Sequence, residues 1–398
     1  MTIPTILFGA FDRHNFGDLL FPHVAVALLG ERNLIYAGLA ERDLRCYGGH
    51  RVSALARLVS EFGEQPVDII HVGGELLGCD AWQAAVMLLP PGQEHDVIAR
   101  LGAHPQERAE WAHARLGTSA FAPYSLSRTL FPRAHQVIYN AVGGVDLDKC
   151  DPALRNEVLA NLKAADQVSV RDRRTQVLLA NEGIAARLMP DPAVMVAELF
   201  GPAILRRAQQ GEVALASADF PQGYVAVQFS ADFGDEEILG QIAAELDQLA
   251  LSTGLGVVFF RAGAAPWHDE LHCYRCVAAR MRAASTIFTS LDAWDICALI
   301  AGSHAYLGSS LHGRIIAMAF ALPRMNLRPP WQGGQVSKQT AFATTWEDQG
   351  TCIAIDVHDI AQGMQGALAT DIVQLQRTAR NLAVLYRQGF TEICAGLA

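Results

Sequence analysis

The chain reads as an α/β protein of two doubly wound, Rossmann-like domains facing across a cleft, an architecture of the glycosyltransferase-B type. Three observations predict it. Short apolar runs alternate with helix-length stretches through most of the 398 residues, the pattern of parallel sheets with crossover helices. Several runs, residues 67–72 above all, are continuously apolar, as strands buried on both faces require. The alternation lapses between residues 200 and 223 and then resumes, in a chain too long for one ordinary core.

Taken in order, residues 5–8 form a first strand and 19–29 a helix after a Gly-Asp turn. Short strands at 34–37 and 45–47 precede a helix over 52–62, and strand 67–72 ends in Gly73-Gly74. Residues 78–132, rich in Pro, Gly, His and Arg, read as a helical insertion overhanging the site. Strand 136–141, helix 152–163, strand 167–170 and helix 173–181 complete a first domain over 1–200. Gly201-Pro202, Gln209-Gln210-Gly211 and Pro221-Gln222-Gly223 mark a hinge over 201–223. A second domain over 224–359 holds strands at 224–229, 256–260, 286–288, 305–308 and 324–327, with helices at 236–251, 268–283, 292–301 and 311–321 between them. The helical pattern of 360–398 packs back on the first domain in this reading.

Hydrophobic residues make up 51% of the chain and charged residues 18%, a globular composition. With 31 basic against 41 acidic residues the net charge is −10, which argues against nucleic acid or an anionic membrane as partner. The first residues carry no basic, long-apolar leader pattern and no run is long enough to span a bilayer, so a cytoplasmic protein is expected. Eight scattered cysteines fit reduced, packed thiols. His268, His272 and Cys276 would share one helix face beside Cys273, but no second ligand pair stands at zinc spacing, so no metal is expected.

The stretch 301–327 joins a strand, a Ser309-Ser310 turn and a helix carrying His312 in its first turn. Ligands gather at such junctions, where backbone N–H groups and the helix dipole favour an anion. An imidazole there can bind that anion and move protons, or it can be a packed histidine.

The run G-S-S-L-H-G-R-I-I-A at 308–317 resembles the C-terminal signature of the polysaccharide pyruvyl transferase family. Four further motifs follow the family's order: G-A-F-D-R-H-N-F-G-D at 9–18, with Asn15, Gly17 and Asp18; V-G-G at 72–74; V-S-V-R-D at 168–172; and P-D-P-A at 190–193. The resemblance implies ketal formation: a pyruvyl group moves from phosphoenolpyruvate to two hydroxyls of a sugar or glycan acceptor, with no other cofactor. It makes His312 the general acid/base and Ser310 and Gly313 its neighbours in the site. Many relatives carry Arg where this chain has Ser310, which leaves the donor's charge to Arg171, Arg261 or Lys338. Glu75, after Gly73 and Gly74, is a candidate base for the hydroxyl, and Asn15, Gly17 and Asp18 for sugar binding, although Asp18 is equally a helix cap. Trp267, Trp331 and Trp346 are candidates for stacking on a sugar. A glycosyltransferase using a nucleotide sugar, or a catalytically silent sugar-binding member, are the alternatives. Nothing in the residues specifies an oligomeric state.

Overall fold

The computed structural model of the chain describes residues 3–90, 92–330, 336–348 and 350–398. It divides into two units, Met1–Pro192 with Leu385–Ala398, and Ala193–Val384.

Unit 1 carries β1 (Thr5–Phe8), β2 (Leu34–Gly38), β3 (Arg42–Asp43), β4 (Arg51–Ala54), β5 (Asp68–His71), β6 (Gln136–Val142), β7 (Gln167–Val170) and β8 (Arg187–Leu188). They make one sheet in the order β3-β4-β2-β1-β5-β6-β7-β8, in which only the β3–β4 edge pair is antiparallel. Ile6, Phe8, Ile69 and Tyr139 are buried in its core, which explains the unbroken apolar runs. Strand order reverses between β1 and β5, registered Phe8 to His71. In an open parallel sheet the loops beyond that reversal splay apart and leave room for a ligand. Those two loops are 9–15 and 72–75.

Unit 2 carries β9 (Tyr224–Gln228), β10 (Gly256–Phe259), β11 (Ser285–Ile287), β12 (Ala305–Gly308), β13 (Arg324–Leu327) and β14 (Ala354–Ile355). The order is β11-β10-β9-β12-β13-β14, with every pair parallel. Here the order reverses between β9 and β12, registered Gly308 to Gln228. The His312 turn stands at that point.

Several boundaries differ from the sequence reading. Residues 45–47 form a 3-10 turn closed by Gly48 at φ 75°, not a strand, and β4 occupies the start of the expected 52–62 helix. The 201–223 stretch is not an open linker: it holds the helices Val196–Arg207 and Gly211–Asp219, and the chain divides earlier, at Pro192. Gly211 opens a helix and Gly223, at φ 94°, precedes β9, so these residues punctuate helices without dissolving them. The 268–283 helix shortens to Leu271–Arg280, and the C-terminal pattern splits into Ile360–Leu368 and Ile372–Ile393. The end of the last helix belongs to unit 1, where the Asn140 amide donates to Tyr386 Oη at 2.9 Å. The 78–132 segment forms the helices Ala81–Met87, Glu94–Leu101 and Pro105–Leu116 around a small cluster with Trp82 and Ala112.

Candidate functional site

In unit 1 the loop after β1 turns directly into the helix Phe16–Leu29. Asn15 caps it, its Oδ1 accepting from the Gly17 N–H at 3.2 Å. Asp18 is therefore not the cap. The helix starts three residues earlier than its apolar pattern suggests, because Asn15 satisfies a first-turn donor there. Asp18 sits inside that turn, buried, with an oxygen 3.9 Å from Arg13 Nη2.

The loop after β5 needs Gly73 and Gly74, whose φ angles of 129° and 100° disfavour any side chain. Glu75 is turned to structure. Its Oε1 accepts from the Val145 N–H at 2.9 Å and its Oε2 from Arg171 Nη2 at 2.6 Å. Arg171 Nη1 donates to Asp191 at 2.9 Å. Burial alone would push this guanidinium's pKa down, but Glu75 and Asp191 outweigh it and hold it above its usual range. Gly143 makes room for the pair, since a Cβ there would lie 2.3 Å from Glu75 Oε2 and 2.8 Å from Arg171 Nε. Asp172 is not in the pair; it caps the helix Arg173–Asn181, accepting from the Thr175 N–H at 2.7 Å. Two carboxylates thus answer Arg171, which sets it among the residues that hold unit 1 together.

In unit 2 the helix Leu311–Ala319 follows β12 after the Ser309-Ser310 turn. Ser310 is its cap, Oγ accepting from the Gly313 N–H at 3.2 Å. An arginine there could not cap in this way. His312 lies in the first turn, 7% exposed. Gly313 has no room for a side chain, because a Cβ would meet the Tyr306 ring at 2.5 Å. The turn is held by neutral groups at the ends of adjacent strands. The Ser310 N–H donates to Gln228 Oε1 at 2.7 Å, the Tyr306 hydroxyl donates to the Ser310 carbonyl at 3.0 Å, and the Ser230 N–H donates to Ser309 Oγ at 3.0 Å. Gln339, in the helix Lys338–Trp346, donates to the Ser309 carbonyl. Lys338 is exposed at the start of that helix, one residue from this contact.

Behind the turn stands Asp269. Its Oδ1 accepts from Gln228 Nε2 at 2.7 Å and its Oδ2 from the Ala262 N–H at 2.5 Å. Desolvation pushes its carboxyl up to about 7, against the pull of those donors and of Arg261. Arg261 is half-buried beyond β10, and among the described residues no acceptor reaches its Nε. The β10, β9 and β12 ends thus bring Arg261, Asp269, Gln228 and the His312 helix start together. The arginine after His312 is structural: Arg314 and Arg324 share the buried Glu347, at 2.6 and 2.8 Å. Burial would raise the Glu347 carboxyl, but the two guanidiniums win and hold it low.

Among the cysteines, His272 and Cys276 approach to 3.4 Å, but His268 lies outside the helix and bonds the Pro266 carbonyl, so it does not join them on one face. All eight cysteines are free thiols. Among the described residues, the side chains grouped closely enough for a metal are Asp356, His358 and Asp359, a partly exposed set. No helix among them is long and apolar enough to cross a membrane. Trp267 is 48% exposed with a left-handed φ of 63°, Trp346 closes the Lys338 helix, and Trp331 lies outside the described residues.

Sequence reasoning missed Gln228, Asp269, Tyr306, Gln339 and Gly143. Gln228 left one signal, a polar residue closing an otherwise apolar strand. The others act through strand neighbours distant in sequence.

A comparison with curated proteins finds no sequence match. Solved structures similar in fold include UDP-N-acetylglucosamine 2-epimerases. The Rickettsia bellii enzyme has 12% identity and a TM-score of 0.57, over 99% of this chain and 96% of that one. The Neisseria meningitidis enzyme, bound to UDP-GlcNAc, has 11% identity and a TM-score of 0.56, over 99% and 100%. At such identities the likeness defines a glycosyltransferase-B-like fold. The profile of the polysaccharide pyruvyl transferase family matches residues 15–327, most of the chain, from the cap of the helix Phe16–Leu29 through β13, and the chain belongs to that family.

Proposed function

We propose that this sugar-modifying transferase moves a pyruvyl group from phosphoenolpyruvate to two hydroxyls of a sugar or glycan acceptor, with His312 as the proton-handling group. A proton goes to C3 of the enol, the two sugar oxygens bond to C2, and the C2–O bond to phosphate breaks. Of the two hydroxyl protons released, one balances the new methyl group and the other leaves on hydrogen phosphate. The observation that carries the reading is His312 in the first turn of a helix at the β9/β12 reversal, where the dipole favours an anion. Arg261 is the favoured cation for the donor, because its Nε lacks an acceptor among the described residues while Arg171 is answered by two carboxylates. Lys338, exposed near the Ser309 turn, is the second candidate. The acceptor sugar is carried by a lipid, a nucleotide or a glycan, the reaction needs no metal, and a cytoplasmic location fits a phosphoenolpyruvate-dependent enzyme.

The test is mass spectrometry of the protein with phosphoenolpyruvate and a panel of acceptors, with and without chelator. A ketal product with stoichiometric phosphate supports the reading. Nucleotide release from a nucleotide sugar would make the chain a glycosyltransferase, and binding without turnover a silent sugar-binding member.

A further inference from the structure

We propose that Arg13 and Asp18, at the β1/β5 reversal of unit 1, form a two-point grip on a hydroxyl of a neutral sugar. The pair is set at the first turn of the helix Phe16–Leu29, and only 10% and 9% of the two side chains are exposed. Nη2 of Arg13 stands 3.9 Å from Asp18 Oδ2. That gap is too wide for a hydrogen bond, yet one hydroxyl about 2.8 Å from each atom would close it. Among the described residues no acceptor reaches Arg13 Nε or Nη1, both shielded from solvent. The guanidinium carbon lies 5.3 Å from the centroid of the Tyr124 ring, which supports its face but leaves its N–H edges unsatisfied. Buried guanidinium donors without acceptors are costly, so a ligand that accepts from this guanidinium removes a penalty the empty site carries.

Charge decides the ligand class. Asp12 makes no hydrogen bond to Arg13; it is directed to other donors, Oδ1 accepting from the Tyr124 hydroxyl at 2.7 Å and Oδ2 from the N–H groups of Leu39 at 2.6 Å and Ala40 at 3.2 Å. Its carboxylate and that of Asp18 nonetheless surround a single guanidinium. A further anion entering there meets two like charges at short range. A hydroxyl meets none: it donates to Asp18 and accepts from Arg13. Tyr124 comes from the 78–132 segment, so that segment completes the grip.

The ligand class rests on the reading of the chain as a sugar-modifying transferase, but the test needs no turnover. Saturation-transfer NMR on the full chain uses the methyl glycosides of glucose, galactose, mannose and N-acetylglucosamine, with inorganic phosphate as competitor. At least one glycoside should bind the parent, and Arg13→Met should weaken it roughly tenfold or more, with a thermal midpoint unchanged or raised. Asp18→Asn, which keeps the volume, should weaken the same glycoside and serves if Arg13→Met misfolds. The proposal is overturned if no glycoside binds, if both variants bind like the parent, or if phosphate displaces the glycoside in an Arg13-dependent way. Glycoside binding lost in the variants, with no pyruvyl transfer by the parent, would sink the transfer reaction and leave this site standing.

Discussion

The two strand-order reversals carry the family's motifs but are built from opposite materials. At β1/β5 the loops are held by full charges: Arg171 is locked between Glu75 and Asp191, and Gly143 is empty to admit them. At β9/β12 the loop bearing His312 is held by neutral groups, the Gln228 amide, the Tyr306 hydroxyl and two serines. The groups that hold this turn directly add no full charge at the start of the His312 helix, where the dipole favours an anion, and the Asp269 carboxyl stands one hydrogen bond further back, behind Gln228. A charged scaffold gives rigidity but spends its cation internally. This difference is the reason Arg261, and not Arg171, is the cation proposed for the donor.

The largest expected effect that would break this contrast is on stability in unit 1. Arg171→Ala should cost about 3–5 kcal/mol in urea denaturation, because it removes the guanidinium shared by the Glu75 and the buried Asp191 carboxylates. A variant as stable as the parent, with only its apparent KM for phosphoenolpyruvate raised, would return Arg171 to the donor site. His312→Ala should do the reverse, cutting turnover by about 10² with little loss of stability; a destabilised protein would mark His312 as a packing residue.

Asp269 sharpens the contrast through pH. Its folded-state value of about 7 lies above the ordinary 3.8, so between those values the folded chain holds a proton that the unfolded chain has released. The stability it contributes is full below pH 4 and is lost as pH rises through 7. Relative to Asp269→Asn, the parent should lose about 1–2 kcal/mol between pH 5 and 7.5, discounted for partial exposure. Parallel stability curves for the two proteins would remove Asp269 from the titrating groups. The smallest effect is common to both regions. Asn15→Ala and Ser310→Ala each remove a helix cap and should cost about 1 kcal/mol. A Ser310→Ala protein with intact stability but lost donor binding would make that hydroxyl a ligand and not a cap.

Much of this was legible because local chemistry carries it. Short continuous apolar runs bounded by turn residues suit doubly buried strands, and the strands at 5–8, 305–308 and 324–327 stand where the pattern puts them. The helix start at Phe16 was misread because Phe16 and Gly17 extend the loop motif on paper, and only the Asn15 side chain reveals where the helical bonds begin. The 201–223 stretch was misread because Gly and Pro mark helix ends as readily as linkers. At the site, the sequence reading singled out His312, Asn15, the Gly73-Gly74 turn and a set of cations.

The sequence by itself determined the fold class, the family and the helix start that carries His312, since each is written in residues adjacent along the chain. Only the tertiary structure decided which charges are available. Glu75 and Arg171 are 96 positions apart and Gln228 and Ser310 are 82 apart, and no local pattern states that the first pair neutralises itself while the second fixes the His312 turn with neutral groups. Whether a cation serves the scaffold or a ligand depends on what faces it in space, and parallel strand neighbours bring those partners from anywhere in the chain.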